Sequence, residues 1–141
     1  MKTNNIFYCP HCFGYLSIND KIIFKVKSQR NEFGLLMLSS EIGDYESVVA
    51  SGSIKKVENE LYEFYCPLCS ACLNVESSDM RLVKLFMKDS KSDKYEIYFS
   101  GIYGEHCTYV IQDYTLKYFG PHSKRYMEEI EKYKEFYDRH L

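Results

Sequence analysis

The sequence has no tryptophan, only three prolines, no excess charge of either sign and no long apolar run. Each shortage excludes something. Lys and Arg number 18 against 20 Asp and Glu, for a net charge of −2. Nucleic acids and anionic membrane surfaces are held chiefly by clustered basic residues, so neither is an expected partner. No apolar stretch approaches the ~18–20 residues that a membrane span needs. Met1 to Cys9 contains no apolar signal-peptide core, so the expected compartment is the cytoplasm. Hydrophobic residues at 45% against 27% charged exclude intrinsic disorder. No linker or low-complexity tract interrupts the chain, so residues 1–141 are read as one domain. Within it, β structure over about 17–63, and β structure plus a helix over about 74–141, can form two small lobes.

What the chain does have is cysteine. In a reducing compartment thiols stay free, so six cysteines point to metal or catalysis before disulfides. Four of them form two C-P-x-C units, Cys9-Pro10-His11-Cys12 and Cys66-Pro67-Leu68-Cys69. Residues 7–16 align without a gap on residues 64–73, and Phe, Tyr, Cys, Pro, Cys and Leu recur at the same positions. The offset is 57 residues (9 to 66). A tight turn across C-x2-C brings two thiolates together and points backbone N–H groups at the sulfurs, while Pro after the first Cys fixes φ. Leu16 and Leu73, four residues after the second Cys of each unit, are placed to pack beneath a metal. Two such turns facing each other supply four thiolates, the tetrahedral set of structural zinc.

These paired knuckles resemble the zinc-ribbon group of zinc-binding β structures. The resemblance covers about 20 residues and implies one structural Zn2+ on Cys9, Cys12, Cys66 and Cys69, with β-hairpins around it. Compact ribbons place ~15–20 residues between their cysteine pairs. Here 53 residues separate Cys12 from Cys66, so the expected form is a ribbon with a domain-sized insertion. A rubredoxin-type iron centre is the competing reading. It resembles this arrangement in its two C-x2-C knuckles but expects Gly after each second Cys, where this chain has Phe13 and Ser70.

The remaining pattern is β. Segments 22–27, 35–38, 47–50, 62–65, 95–99 and 108–111 are apolar, aromatic or β-branched, and turn signals separate them. Residues 80–87 read as a strand with helix as the alternative. After Gly120-Pro121, a helix is predicted from about Ser123 to His140. Ser123 would be its N-cap, and Tyr126, Ile130, Tyr133, Tyr137 and Leu141 its apolar stripe. The expected fold class is mainly β (α+β): antiparallel sheets around a zinc-ribbon-like site of four cysteines, with a long β insertion between the knuckles and one C-terminal helix.

Other residues invite chemistry. Cys107 beside His106 suggests a thiol nucleophile, yet strand neighbours point to opposite faces, so a core cysteine is the first reading. A redox thiol, or a second metal site using Cys72, His106 or Cys107, stays open. Cys72 occupies the repeat position of Tyr15, which suggests packing. His11 sits mid-knuckle, where side chains face outward. Lys21, Lys25 and Lys27 share one strand face, first read as a solvated face. The sequence therefore predicts a non-catalytic binding or accessory module with a structural zinc. It would act on a protein partner or by self-association. The alternatives are a nucleic-acid-associated zinc-ribbon protein, then a thiol or redox enzyme using Cys107.

Overall fold

The computed structural model of the chain describes residues 4–50, 54–76 and 78–136. Its strands are β1 (Ile6–Tyr8), β2 (Ser17–Ile18), β3 (Lys21–Lys27), β4 (Phe33–Ser39), β5 (Ser47–Val49), β6 (Glu63–Tyr65), β7 (Leu82–Lys88), β8 (Lys94–Ser100), β9 (Thr108–Gln112) and β10 (Thr115–Phe119). They form two antiparallel sheets, one in the order β1-β7-β8-β9-β10 and the other in the order β2-β3-β4-β5, with β6 also on β3. A 3₁₀ turn (Ser123–Tyr126) leads into α1 (Met127–Glu135). The mainly β class with one C-terminal helix is thus the observed one, and the four knuckle cysteines lie together.

Alternation decides which faces meet. Along β3, Ile22, Phe24 and Val26 are buried while Lys21, Ile23, Lys25 and Lys27 are partly exposed, the pattern of a strand with one covered face. Those three residues pack with Phe64 and with Val83, Leu85, Met87 and Ile97 of the other sheet. Phe24, Phe64 and Phe99 meet at centroid distances of 5.2–5.7 Å, with Phe64 edge-on to both of the others. Burying each such ring contributes roughly 1.5–3 kcal/mol.

The repeat legible at the knuckles extends through most of the chain. Residues 21–50 correspond to 82–111 without a gap, at an offset of 61 (21 to 82). Lys21 pairs with Ser39 as Leu82 pairs with Ser100. Leu36 pairs with Val49 as Ile97 pairs with Val110. The five-residue loops 28–32 and 89–93 close alike. Ser28 N–H donates to the Glu32 carbonyl and Asp89 N–H to that of Asp93, and Asn31 and Ser92 share a left-handed φ of 62° and 64°.

The knuckle strands are exchanged between the halves. β1 precedes the first half yet pairs with β7, Phe7 opposite Met87. β6 precedes the second half yet pairs with β3, Phe64 opposite Val26, the position equivalent to Met87. Each knuckle therefore carries the chain from one sheet to the other. The symmetry also appears where the halves touch: Tyr45 and His106, 61 residues apart, stack at 4.6 Å and 4°.

Two expectations need correcting. Ser123 is not an N-cap: it is buried inside the 3₁₀ turn, whose cap position, His122, makes no capping hydrogen bond and instead accepts from His106 N–H through Nδ1. Tyr109, whose hydroxyl donates to the Ser123 carbonyl, holds that turn instead. The helix proper begins at Met127. Tyr126 and Ile130 of the predicted stripe are buried against Leu82, Tyr98, Tyr109 and Ile111, and Tyr133 stacks on Tyr98 at 5.0 Å. Tyr137, His140 and Leu141 lie outside the described residues. β10, absent from the sequence reading, follows a two-residue turn in which Asp113 and Tyr114 both have positive φ.

Candidate metal centre

Each knuckle is built on the same backbone pattern. Cys9 N–H donates to the Gly14 carbonyl and Cys66 N–H to that of Ala71, both at 3.0 Å. Phe13 N–H returns to the Cys9 carbonyl and Ser70 N–H to that of Cys66. Phe13 and Ser70 take the left-handed φ, 61° and 66°, that favours Gly. The absence of Gly at these positions therefore does not reflect a different turn, and it does not separate zinc from iron. Phe13 is held there by a stack on Phe86 at 6.2 Å.

The strands that lead in are pinned by paired side chains. Phe7 N–H donates to Ser17 Oγ at 2.6 Å, and Phe64 N–H to Asn74 Oδ1 at 2.7 Å. Asn74 also donates to the carbonyls of Tyr62 and Met80. Ser17 and Asn74 occupy the same place in the repeat, one residue past the aligned segments 7–16 and 64–73. Extending that alignment by one position would have flagged both as small polar residues. Leu16 and Leu73 are buried as expected, in one core cluster with Cys9 and Cys66.

The result is four sulfurs within 4.8 Å of one another, from Cys9, Cys12, Cys66 and Cys69. Cys9 Sγ lies 3.8 Å from Cys69 Sγ, and Cys12 Sγ 3.9 Å from Cys66 Sγ. A tetrahedral centre with metal–sulfur bonds of about 2.3 Å has sulfur–sulfur edges of about 3.8 Å. The donor set therefore fits a divalent metal. Backbone N–H groups face the sulfurs: His11 and Cys12 toward Cys9, Leu68 and Cys69 toward Cys66, Gly14 toward Cys12. Cys9 and Cys66 are buried, Cys12 and Cys69 exposed. Burial pushes the Cys9 thiol up to about 12 and raises Cys66, whereas the Ala71 N–H lowers Cys69. Among the described residues this is the one group of three or more Cys, His, Asp or Glu side chains placed to share an ion.

The other candidates lie elsewhere. His11 is exposed on its turn. The Cys72 thiol donates to Asn74 Oδ1 at 3.8 Å, so it backs the strand pin. Cys107 is fully buried, and burial pushes its thiol up to about 11, opposite to the shift that activates a nucleophile. His106 stacks on Tyr45 and lines a cavity of about 130 Å³ between the sheets, together with Leu36, Leu38, Ile97 and Phe99.

No protein-family model, curated protein or solved structure matches this chain. Among the described residues no helix is long and apolar enough to cross a membrane.

Proposed function

We propose that Cys9, Cys12, Cys66 and Cys69 hold one structural Zn2+, and that the protein is a zinc-ribbon-like, non-catalytic binding or accessory module. The observation that carries this reading is the meeting of two duplicated knuckles at tetrahedral sulfur spacing, one on each crossing between the sheets. A closed four-sulfur shell leaves no position for a substrate, which is the mark of structural rather than catalytic zinc. The metal would fasten both crossings, so the sheets act as halves of one zinc-stabilised domain. Zinc is favoured over iron because this role needs a redox-inert ion. Cysteines arranged to bind a metal, with Cys72 and Cys107 outside the cluster, support a reducing, cytoplasmic setting. A buried Cys107 with a raised thiol argues against the thiol-enzyme alternative. The net charge of −2 argues against nucleic acid as the partner.

The test is elemental analysis of protein purified without added metal. One zinc per chain, released together with thiol reactivity at the four knuckle positions, is the expected result. A red protein with stoichiometric iron would replace zinc by a redox centre. A metal-free protein with unaltered melting would end the reading.

A further inference from the structure

The duplication provides an internal reference for every surface of the first half. In the second half, the outer face of the sheet is covered: α1 and the 3₁₀ turn bury Leu82, Tyr98, Tyr109 and Ile111. The equivalent positions in the first half are Lys21, Met37, Val48 and Ala50. There Val48 is 49% exposed and Leu35 beside it 43%. β4 carries apolar residues on both faces, Leu36 and Leu38 inward and Leu35 and Met37 outward. Near-continuous apolar strands of this kind are normally covered on both sides, whereas one-sided strands alternate with polar residues. Ile23, opposite Met37, joins the patch. Lys21, Lys25 and Lys27 lie on the same face along β3.

We propose that this outer face of β3, β4 and β5 is the docking surface of the binding module, and that its occupant is an amphipathic helix of a partner protein with an acidic flank. The shape is argued from the chain itself, which covers the equivalent face with a helix whose Tyr126, Ile130 and Tyr133 form the apolar stripe. The charge is argued from Lys21 and Lys25, together with Lys27, which already pairs with Glu63 at 3.8 Å; the row complements Asp and Glu beside such a stripe. A second copy is disfavoured wherever its twofold axis runs near β3, because the two lysine rows would then face each other. Phe33, 50% exposed with Lys25 and Lys27 over its ring, borders the patch, but the centre of the patch is aliphatic and the net charge of the chain is −2, which disfavours a nucleic acid. The proposal rests on the reading of the protein as a binding module. Metal content measured on the same sample keeps failure of that reading apart from failure of this one.

The test uses the full chain, isotope-labelled, and two synthetic helical peptides of about 15 residues. Both carry the same Leu/Ile stripe, one flanked by Glu and the other by Lys. The Glu peptide should shift the amide resonances of Ile23, Leu35, Met37 and Val48. It should bind at least ~10-fold more tightly than the Lys peptide. Leu35→Glu should remove that binding, and Lys25→Glu with Lys27→Glu should reverse the preference. All three side chains lie on the outer face, and an unchanged melting temperature verifies the fold of each variant. Equal binding of both peptides, or no shift at these amides at about 1 mM peptide, would overturn the proposal. So would dimerisation lost in Leu35→Glu, or single-stranded DNA binding lost in Lys25→Glu, each of which would assign the face to that occupant instead.

Discussion

Asn74 shows how single residues hold the knuckle in place. Its buried side chain accepts from Phe64 N–H and donates to two carbonyls. Leaving a buried backbone donor unpaired costs about 1–3 kcal/mol. Asn74→Ala should therefore lower stability by about that much or more in urea unfolding, and Asn74→Ser should recover part of the loss, because Ser17 does the same work in the first half. An Asn74→Ala protein as stable as the wild type would show that the pin is dispensable. Cys66→Ser is expected to be far more severe. A structural zinc contributes an apparent ~10–16 kcal/mol, as large as the ~5–15 kcal/mol that separates folded from unfolded domains. The variant should lose its metal in elemental analysis and its cooperative melt in calorimetry. The four clustered cysteines were legible because the proposed metal binding dictates the residue itself at a fixed spacing, and the chain has the device twice. Ser17 and Asn74 were not, because any small side chain with an acceptor oxygen serves there.

Elements are specified less sharply than ligands. The halves 21–50 and 82–111 keep the same residue only at Lys27/Lys88, Ser39/Ser100, Gly43/Gly104 and Val49/Val110. A sheet position asks for apolar character, not identity, so the strands were readable but their equivalence was not. β10 escaped because its hairpin turns on Asp113-Tyr114, without the Asn-Gly or Asp-Gly pair that marks such a turn. The helix was readable from its stripe, but its first turn was misplaced because Tyr109 on a distant strand anchors it. Ile130, on the inner face of that helix, is fully buried. Ile130→Ala should cost about 2–5 kcal/mol, whereas Phe136→Ala, at a position 80% exposed, should stay within about 0.5 kcal/mol. Glu105 ties the loop before β9 to the same region. Burial pushes its carboxyl up, but hydrogen bonds from Ser100, Tyr126 and Arg125 outweigh this and hold it below the ordinary glutamate range. A depressed folded value stabilises the protein above the unfolded value and is lost as pH falls through the folded one. Melting temperatures of the wild type should therefore drop more steeply than those of Glu105→Gln as the pH falls below about 4.5. Parallel acid limbs for the two proteins would show that Glu105 carries no such linkage.

At the scale of the molecule, the exchanged strands make the two halves interdependent. A protease site placed at residues 51–53 and cut in the folded protein should yield fragments that stay together on gel filtration. They are held by β1 on β7, by β6 on β3 and by the shared thiol cluster. Adding a chelator should then separate or precipitate them, and fragments that part before any chelator is added would show that the exchange does not hold the halves. The same exchange sets a timetable for biosynthesis. Cys9 and Cys12 leave the ribosome 57 residues ahead of Cys66 and Cys69, which at about 5–20 residues per second is a wait of roughly 3–11 s. β1 waits longer still, since its partner β7 ends 80 residues after Tyr8. Throughout that interval the nascent chain carries an unmatched dithiol and an unpaired strand. Until the second knuckle arrives the dithiol depends on cellular reductant to stay reduced, and the strand remains an open edge until β7 follows.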